Sequence, residues 1–455
     1  MPERTPSDLS FSADDVDALL QRLFPICRSL TGDGNRETFD ILREVTAFDV
    51  RSVPSGTSVF DWTVPPEWRI REAFVENARG ERIIDFDRSN VSVLNYSAPI
   101  DRVVDEDELR AHLHTLPSHP DWIPYRTAYY KRNWGFCAPH RLLSSDAFEG
   151  PFRVRIDAEF LEDGELLYGE ARHRGESEQE ILLSTYCCHP SLANDNLSGL
   201  ITAVLLFDHI RRCNTRYSYR LAIVPETIGA IAFLSQSADI ERIVAGAVVT
   251  TTAGPGPFGM KPSFQEDHWI DDIAERVLRE NGADYVRYPF VPDGSDERQY
   301  SSPAFRIPTV SLCKSKYYEY PEYHTSADNL DLISSGDLLR TLELYKRWFD
   351  GVERYCHPKR KMGAGEYQLG KRDLLPGIGG SLKQSSHEEN KTGAGQRMFA
   401  LKERLSGQHL NGFYWLMHMA DGTHSNHAIA ARSGLDLKVV DECIELFRDS
   451  GLLED

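Results

Sequence analysis

At 455 residues the chain is long for a single domain, so two or three are expected. Hydrophobic residues at 41% and aromatics at 10% suffice for packed cores and exclude a disordered or fibrous protein. A net charge of −19 argues against nucleic acid as a partner, and no run of 18 apolar residues exists to span a membrane.

The polar start, Met1-Pro-Glu-Arg-Thr-Pro-Ser-Asp8, lacks the apolar core of a signal peptide. Eight cysteines lie scattered without a framework spacing. A reduced, cytoplasmic protein is expected.

In chain order, residues 12–45 read as two helices, the first opened by a capping Ser12. Leu30-Thr-Gly-Asp-Gly-Asn35 between them is turn chemistry. From 58 to 148 prolines, aromatics and short alternating runs predict an inserted β-rich domain. Its tryptophans and tyrosines (Trp62, Trp68, Trp122, Tyr129, Tyr130, Trp134) form either its own core or a lid over a pocket. A hairpin is expected next, Phe152–Phe160 with Leu166–Arg174, turning at Glu162-Asp-Gly164.

Strands and helices then alternate: strand 181–186, helix 198–212, strand 219–225, helix 229–237 and strand 243–251. A helix at 266–281, a strand at 308–313 and a helix at 335–356 follow. That alternation predicts a βαβ sheet covered by helices. Residues 358–396 read as a linker and 397–455 as a third module. Its helical patterns are Gln408–Met419, Asn426–Ser433 and Leu437–Ser450, with a helix-turn-helix pair at the centre.

Two segments carry the chemistry. His189-Pro-Ser-Leu-Ala-Asn-Asp195-Asn-Leu-Ser-Gly199 sits where the apolar strand 181–186 gives way to a helix, the position at which open α/β sheets place ligands. Tyr323-His324-Thr-Ser-Ala-Asp328 brings a second imidazole. His189, Asp195 and His324 are enough to hold one zinc with a position left for water. Asn196 and Ser198 are expected to steady the turn that carries Asp195, and Asp328 to orient the His324 imidazole. Glu226, at the end of Leu221-Ala-Ile-Val-Pro-Glu226, is either a general base or a carboxylate stabilising a helix N-terminus. Any of these residues alone is as readily structural.

These motifs in this order resemble the zinc aminopeptidase family that also contains the glutaminyl cyclases. Asp195-Asn-Leu-Ser-Gly199, Ser295-Asp296-Glu297 and His324-Thr-Ser-Ala-Asp328 match the family pattern closely. The resemblance implies a three-layer α/β/α zinc-peptidase-like domain (1–57 and 149–357) with a mostly parallel mixed sheet. It implies Glu226 as base, with Thr227 and Thr251 standing where the family has two further carboxylate ligands, and hence one ion rather than two. Asp61-Trp-Thr-Val-Pro-Pro-Glu-Trp68, Trp134-Gly-Phe-Cys137 and Gln368-Leu-Gly-Lys-Arg372 resemble one subgroup, with an inserted β-rich domain and a C-terminal winged helix.

The tail carries five Lys or Arg against nine Asp or Glu between Ala400 and Asp455, a net of −4 that is wrong for contacting phosphates. Oligomerisation or a protein partner is expected of it instead.

Three functions follow as expectations. The first is a zinc-dependent aminopeptidase-like hydrolase removing an N-terminal residue from a small peptide or small-molecule amide. In it Tyr323 or Arg298 would meet the oxyanion, and Asp296 or Glu297 the substrate amine. The second is a deacylase acting on a small biosynthetic metabolite such as an amino sugar. The third is a scaffold that has lost its metals.

Overall fold

The computed structural model describes residues 11–282, 284–372, 374 and 407–454. The chain divides after Phe349 into two compact units.

The first unit opens with helix Ala13–Leu23. It starts at Ser12, whose hydroxyl accepts from the Asp15 amide while Asp15 returns the bond, a capping box. Val16, Leu19, Leu20 and Leu23 recur at helical spacing and are buried. Helix Asp33–Arg43 follows.

An eight-stranded mixed sheet forms the centre, in the order 49–54, 165–173, 218–224, 180–186, 243–248, 309–314, 258–261, 285–287. Its middle four strands run parallel. Strands Glu180–Tyr186 and Ser218–Val224 are buried at every position, as strands covered on both faces must be. Helix Gly199–Ile210 is buried along its whole length except His209, so it is enclosed on all sides. No helix among the described residues is long and apolar enough to cross a membrane.

Arg220 is wholly buried in strand Ser218–Val224 and is matched there by Glu180 (2.6 Å) and Asp239 (2.8 Å). Asp239 also takes two bonds from Arg172, at 2.6 and 2.7 Å. A buried guanidinium without such partners would be strongly destabilising.

A second, four-stranded antiparallel sheet has the order 82–85, 67–76, 152–161, 100–104. This corrects two expectations. Strands Phe152–Leu161 and Glu165–His173 do not form a hairpin: the first pairs with 67–76 and 100–104, the second with 49–54 and 218–224. Both runs alternate, and alternation does not name a partner. The cores do: Phe152, Val154 and Ile156 pack in the small sheet, Leu166 and Tyr168 in the large one. The inserted sheet therefore extends to Leu161 rather than ending at 148. Residues 162–164 carry the chain between sheets, and a side chain at Gly164 would meet the Glu67 Cβ at 2.3 Å.

The second unit contains helices Gly407–Met419, Asn426–Ser433 and Leu437–Asp449. Gly434, at φ 67°, ends the middle helix in the left-handed region. The expected linker from 358 is not one at its start. The Arg360 and Lys361 amides donate to Ala420 and Leu452 carbonyls, at 2.9 and 3.0 Å. Tyr367, Leu369 and Leu374 are buried with Phe413, Val440 and Phe447. The rest of the expected linker, 375–396, and residues 397–406 of the third module lie outside the described residues.

Two outcomes test this packing. Phe207→Ala, in the enclosed helix, is expected to cost about 3–5 kcal/mol in chemical denaturation. The bonds from Arg172, opposed by burial and joined by Arg220, hold the Asp239 carboxyl well below its ordinary range. A depressed carboxylate stabilises above its unfolded pKa of about 3.9, and that stability is lost as pH falls through the lower folded value. Asp239→Asn is therefore expected to lower the denaturation midpoint at neutral pH, with the gap to wild type narrowing below about pH 4.

Candidate metal centre

The strand Glu180–Tyr186 delivers its last side chain, Tyr186, beneath the turn that follows. The Tyr186 hydroxyl donates to Asp195 Oδ1 at 2.5 Å and meets the Thr250 hydroxyl at 2.7 Å. Asp195 lies in the tight turn Ala193–Ser198, which runs straight into the enclosed helix. The Asn196 amide donates to the Thr185 hydroxyl and the Tyr186 carbonyl, and its oxygen accepts from the Thr251 amide. The turn is thus tied to two strand ends.

Asp328 differs from expectation. Its carboxylate accepts from the amides of Asn194 (2.6 Å) and Asp195 (3.1 Å) and from the Tyr320 hydroxyl (2.8 Å). It anchors the turn that carries Asp195, and the His324 ring is oriented by other means. Tyr323 stacks on that ring, centroids 3.9 Å apart at 13°, and Tyr125 meets it edge-on at 5.1 Å.

His189, Asp195 and His324 offer one ligand atom each, all within 4.8 Å of one another. His324 Nε2 is 2.9 Å and His189 Nε2 3.9 Å from Asp195 Oδ2. Asp195 Oδ2 and His324 Nε2 are sealed from solvent and have no partner but each other. Polar atoms left so are costly unless something meets them, so this donor set fits a divalent cation. Burial lowers the His189 pKa to about 4, keeping its ring neutral with a lone pair to give. For Asp195 burial favours the neutral acid. The charges of His189 and His324 and the Tyr186 bond outweigh it and hold the carboxyl below its ordinary range.

Glu226 Oε2 lies 3.9 Å from His189 Nε2, and its amide donates to the Cys188 sulfur. Cys188, His189 and Glu226 form a second close group. Burial, then the charges of Asp296 and Asp195, push the Glu226 carboxyl well above its ordinary range. A cation among the three donors would pull it back down.

Thr227 and Thr251 both have positive φ, 66° and 47°, a conformation that β-branched residues avoid. The Thr227 amide donates to Asp296 Oδ1 at 2.7 Å, and its hydroxyl accepts from Arg298 Nη2 at 3.0 Å. Thr251 Oγ1 is buried without a partner.

The two acids expected to meet a substrate amine are closed to it. Glu297 is 1% exposed, ion-paired to the equally buried Lys261 at 3.2 Å and bonded by the Tyr317 hydroxyl. Asp296 is 0% exposed, and burial raises its pKa to about 7. Asp296 caps and Glu297 opens the short helix Glu297–Tyr300, which inspection of Ser295-Asp296-Glu297 alone does not disclose.

Three residues near the centre escaped the sequence reading. Tyr186 looked like one more strand residue. Tyr125, 5.4 Å from the His189 ring and bonded through its amide to the His324 carbonyl, is set 64 positions from the nearer histidine. Arg28 is buried and its Nε donates to the His189 carbonyl at 2.8 Å. Only the density of aromatics around Tyr125 hinted at a role. Trp68 and Trp134 belong to the small core, whereas Trp62 and Tyr130 pack against the main one.

Residues 17–355 match the family described as a domain of unknown function, DUF4910. A protein of Clostridium acetobutylicum is 40% identical over 433 residues, 94% of this chain and 93% of its own. Its provisional name is a polysaccharide biosynthesis protein with an aminopeptidase-like domain. A crystal structure from the same organism, provisionally named a peptidase, superposes with a TM-score of 0.83 at 37% identity, covering 97% of this chain and 96% of that one. A zinc aminopeptidase from Bacillus subtilis shares the fold at a TM-score of 0.53 and 11% identity, over 75% of this chain and 95% of its own.

Tyr186→Phe removes the bond that fixes the Asp195 carboxylate. It is expected to weaken divalent-cation binding about 10–100-fold, measured by competition with a chelator.

Proposed function

The chain belongs to the DUF4910 family, and on that premise we propose that it is a zinc-dependent amide-bond hydrolase working with one ion held by His189, Asp195 and His324. The observation that carries the reading is the convergence of Asp195 Oδ2 and His324 Nε2, buried with no partner but each other, with the Glu226 carboxylate 3.9 Å from His189 Nε2. Zinc, when bound, would supply Lewis-acid polarisation of an amide carbonyl and lower the pKa of water.

The side chains divide the remaining work. Glu226 takes the proton of the attacking water and returns it to the leaving amine. Tyr323, kept neutral by burial and by the charges of Asp195 and Glu226, offers a hydroxyl to the developing oxyanion. Tyr125 and Tyr323 wall the two imidazoles from water.

Removal of an N-terminal amino acid needs an acid for the substrate ammonium, and Asp296 and Glu297 are both enclosed. That favours the second substrate reading, deacylation of a small biosynthetic metabolite such as an amino sugar. The name of the C. acetobutylicum relative points the same way. Eight free cysteines suit a cytoplasmic setting, and the acidic helical tail, proposed as a winged helix, suits docking to a protein or a second copy.

Elemental mass spectrometry is expected to find one zinc per chain, and none in His324→Ala. Glu226→Gln is expected to keep zinc and lose about 10²–10⁴-fold in turnover. A chain that takes up no zinc after reconstitution would instead be a scaffold.

A further inference from the structure

The fixed cation at this site is Arg298. It is half-buried, and one nitrogen donates to the Thr227 hydroxyl at 3.0 Å. Among the described residues no carboxylate forms an ion pair with it, and neither of its other two nitrogens is a buried atom without a partner. The other basic side chains close to the site are spent: Lys261 on Glu297, Lys316 on Glu319 and the Tyr317 carbonyl, Arg28 on the His189 and Leu23 carbonyls. Arg298 stands beside Glu226 without pairing with it, and its charge acts on both Glu226 and Asp296. Tyr129, 38% exposed, also lies against Thr227.

A guanidinium with free donors is placed to bind a planar oxyanion through two parallel bonds. It repels an ammonium. We propose that Arg298 is a specificity-determining residue that binds a carboxylate carried by the substrate next to the scissile amide, with Tyr129 at its edge. The proposal deepens the hydrolase reading and rests on it: the substrate is an N-acylated molecule with a free carboxylate, not a peptide with a free N-terminus. A carboxylate is favoured over a phosphate because a single negative charge matches one arginine, and a second would face Glu226 and Asp296.

The test uses the full-length, zinc-loaded chain and two non-natural probes, N-benzoylglycine and its neutral carboxamide, with phenyl phosphate as a third. Calorimetry is expected to show the carboxylate binding about 10–100-fold tighter than the carboxamide. In Arg298→Gln that gap should close with zinc content unchanged. Arg298→Lys, which keeps the charge without the planar fork, should retain part of it. Equal affinities for the two probes, no binding of either, a preference for the phosphate, or an undiminished gap in Arg298→Gln would each overturn the proposal. Hydrolysis of the same amides is followed separately. Carboxylate preference without turnover would sink the hydrolase reading and leave the anion site. Turnover without preference would do the reverse.

Discussion

The site depends on the bond from the Tyr186 hydroxyl to Asp195 Oδ1. A carboxylate that is 1% exposed cannot stay ionised without partners, and its two oxygens are treated differently. One is saturated by the tyrosine, so the other is aimed between two imidazoles. Asp328 holds the backbone of the same residue from behind. The enclosed helix follows from the same turn, because Gly199 leaves no room for a side chain: a Cβ there would meet the Asn196 oxygen at 2.2 Å and the Thr250 Cα at 2.7 Å.

Charge balance is the ground for proposing one ion rather than two. Thr227 and Thr251 put hydroxyls where the resembling family has carboxylates, which removes two negative charges from a buried space. Arg298 bonds one of those hydroxyls and Glu297 is neutralised by Lys261. Under that proposal a second cation would meet hydroxyls in place of carboxylates, with Arg298 bonded to one of them. Both threonines hold a positive φ, at positions where that bend is costly for a β-branched residue.

What the sequence discloses follows from the range of each interaction. The alternation of strands and helices, the turn carrying Asp195 and the junction at Glu226 are local patterns, and each is legible. His189 and His324, which come close in space, both flank short recognisable motifs. Pairings between distant segments are not legible. The alternating run 152–161 serves either sheet equally well until the core it faces is known. Asp328 lies four residues from His324, a spacing that suggests an orienting bond, yet the backbone turns it toward Asn194. Lys261 gives no sign in the sequence that it neutralises Glu297.

The centre draws on segments spread from Arg28 to Asp328, and the last of them closes it. A growing chain that has not yet released His324 has a histidine and an aspartate in place but lacks the second imidazole, the aromatic ring stacked on it and the carboxylate that fixes the turn. An ion held by all three proposed donors would therefore find its full set of ligands only after nearly the whole first unit has left the ribosome.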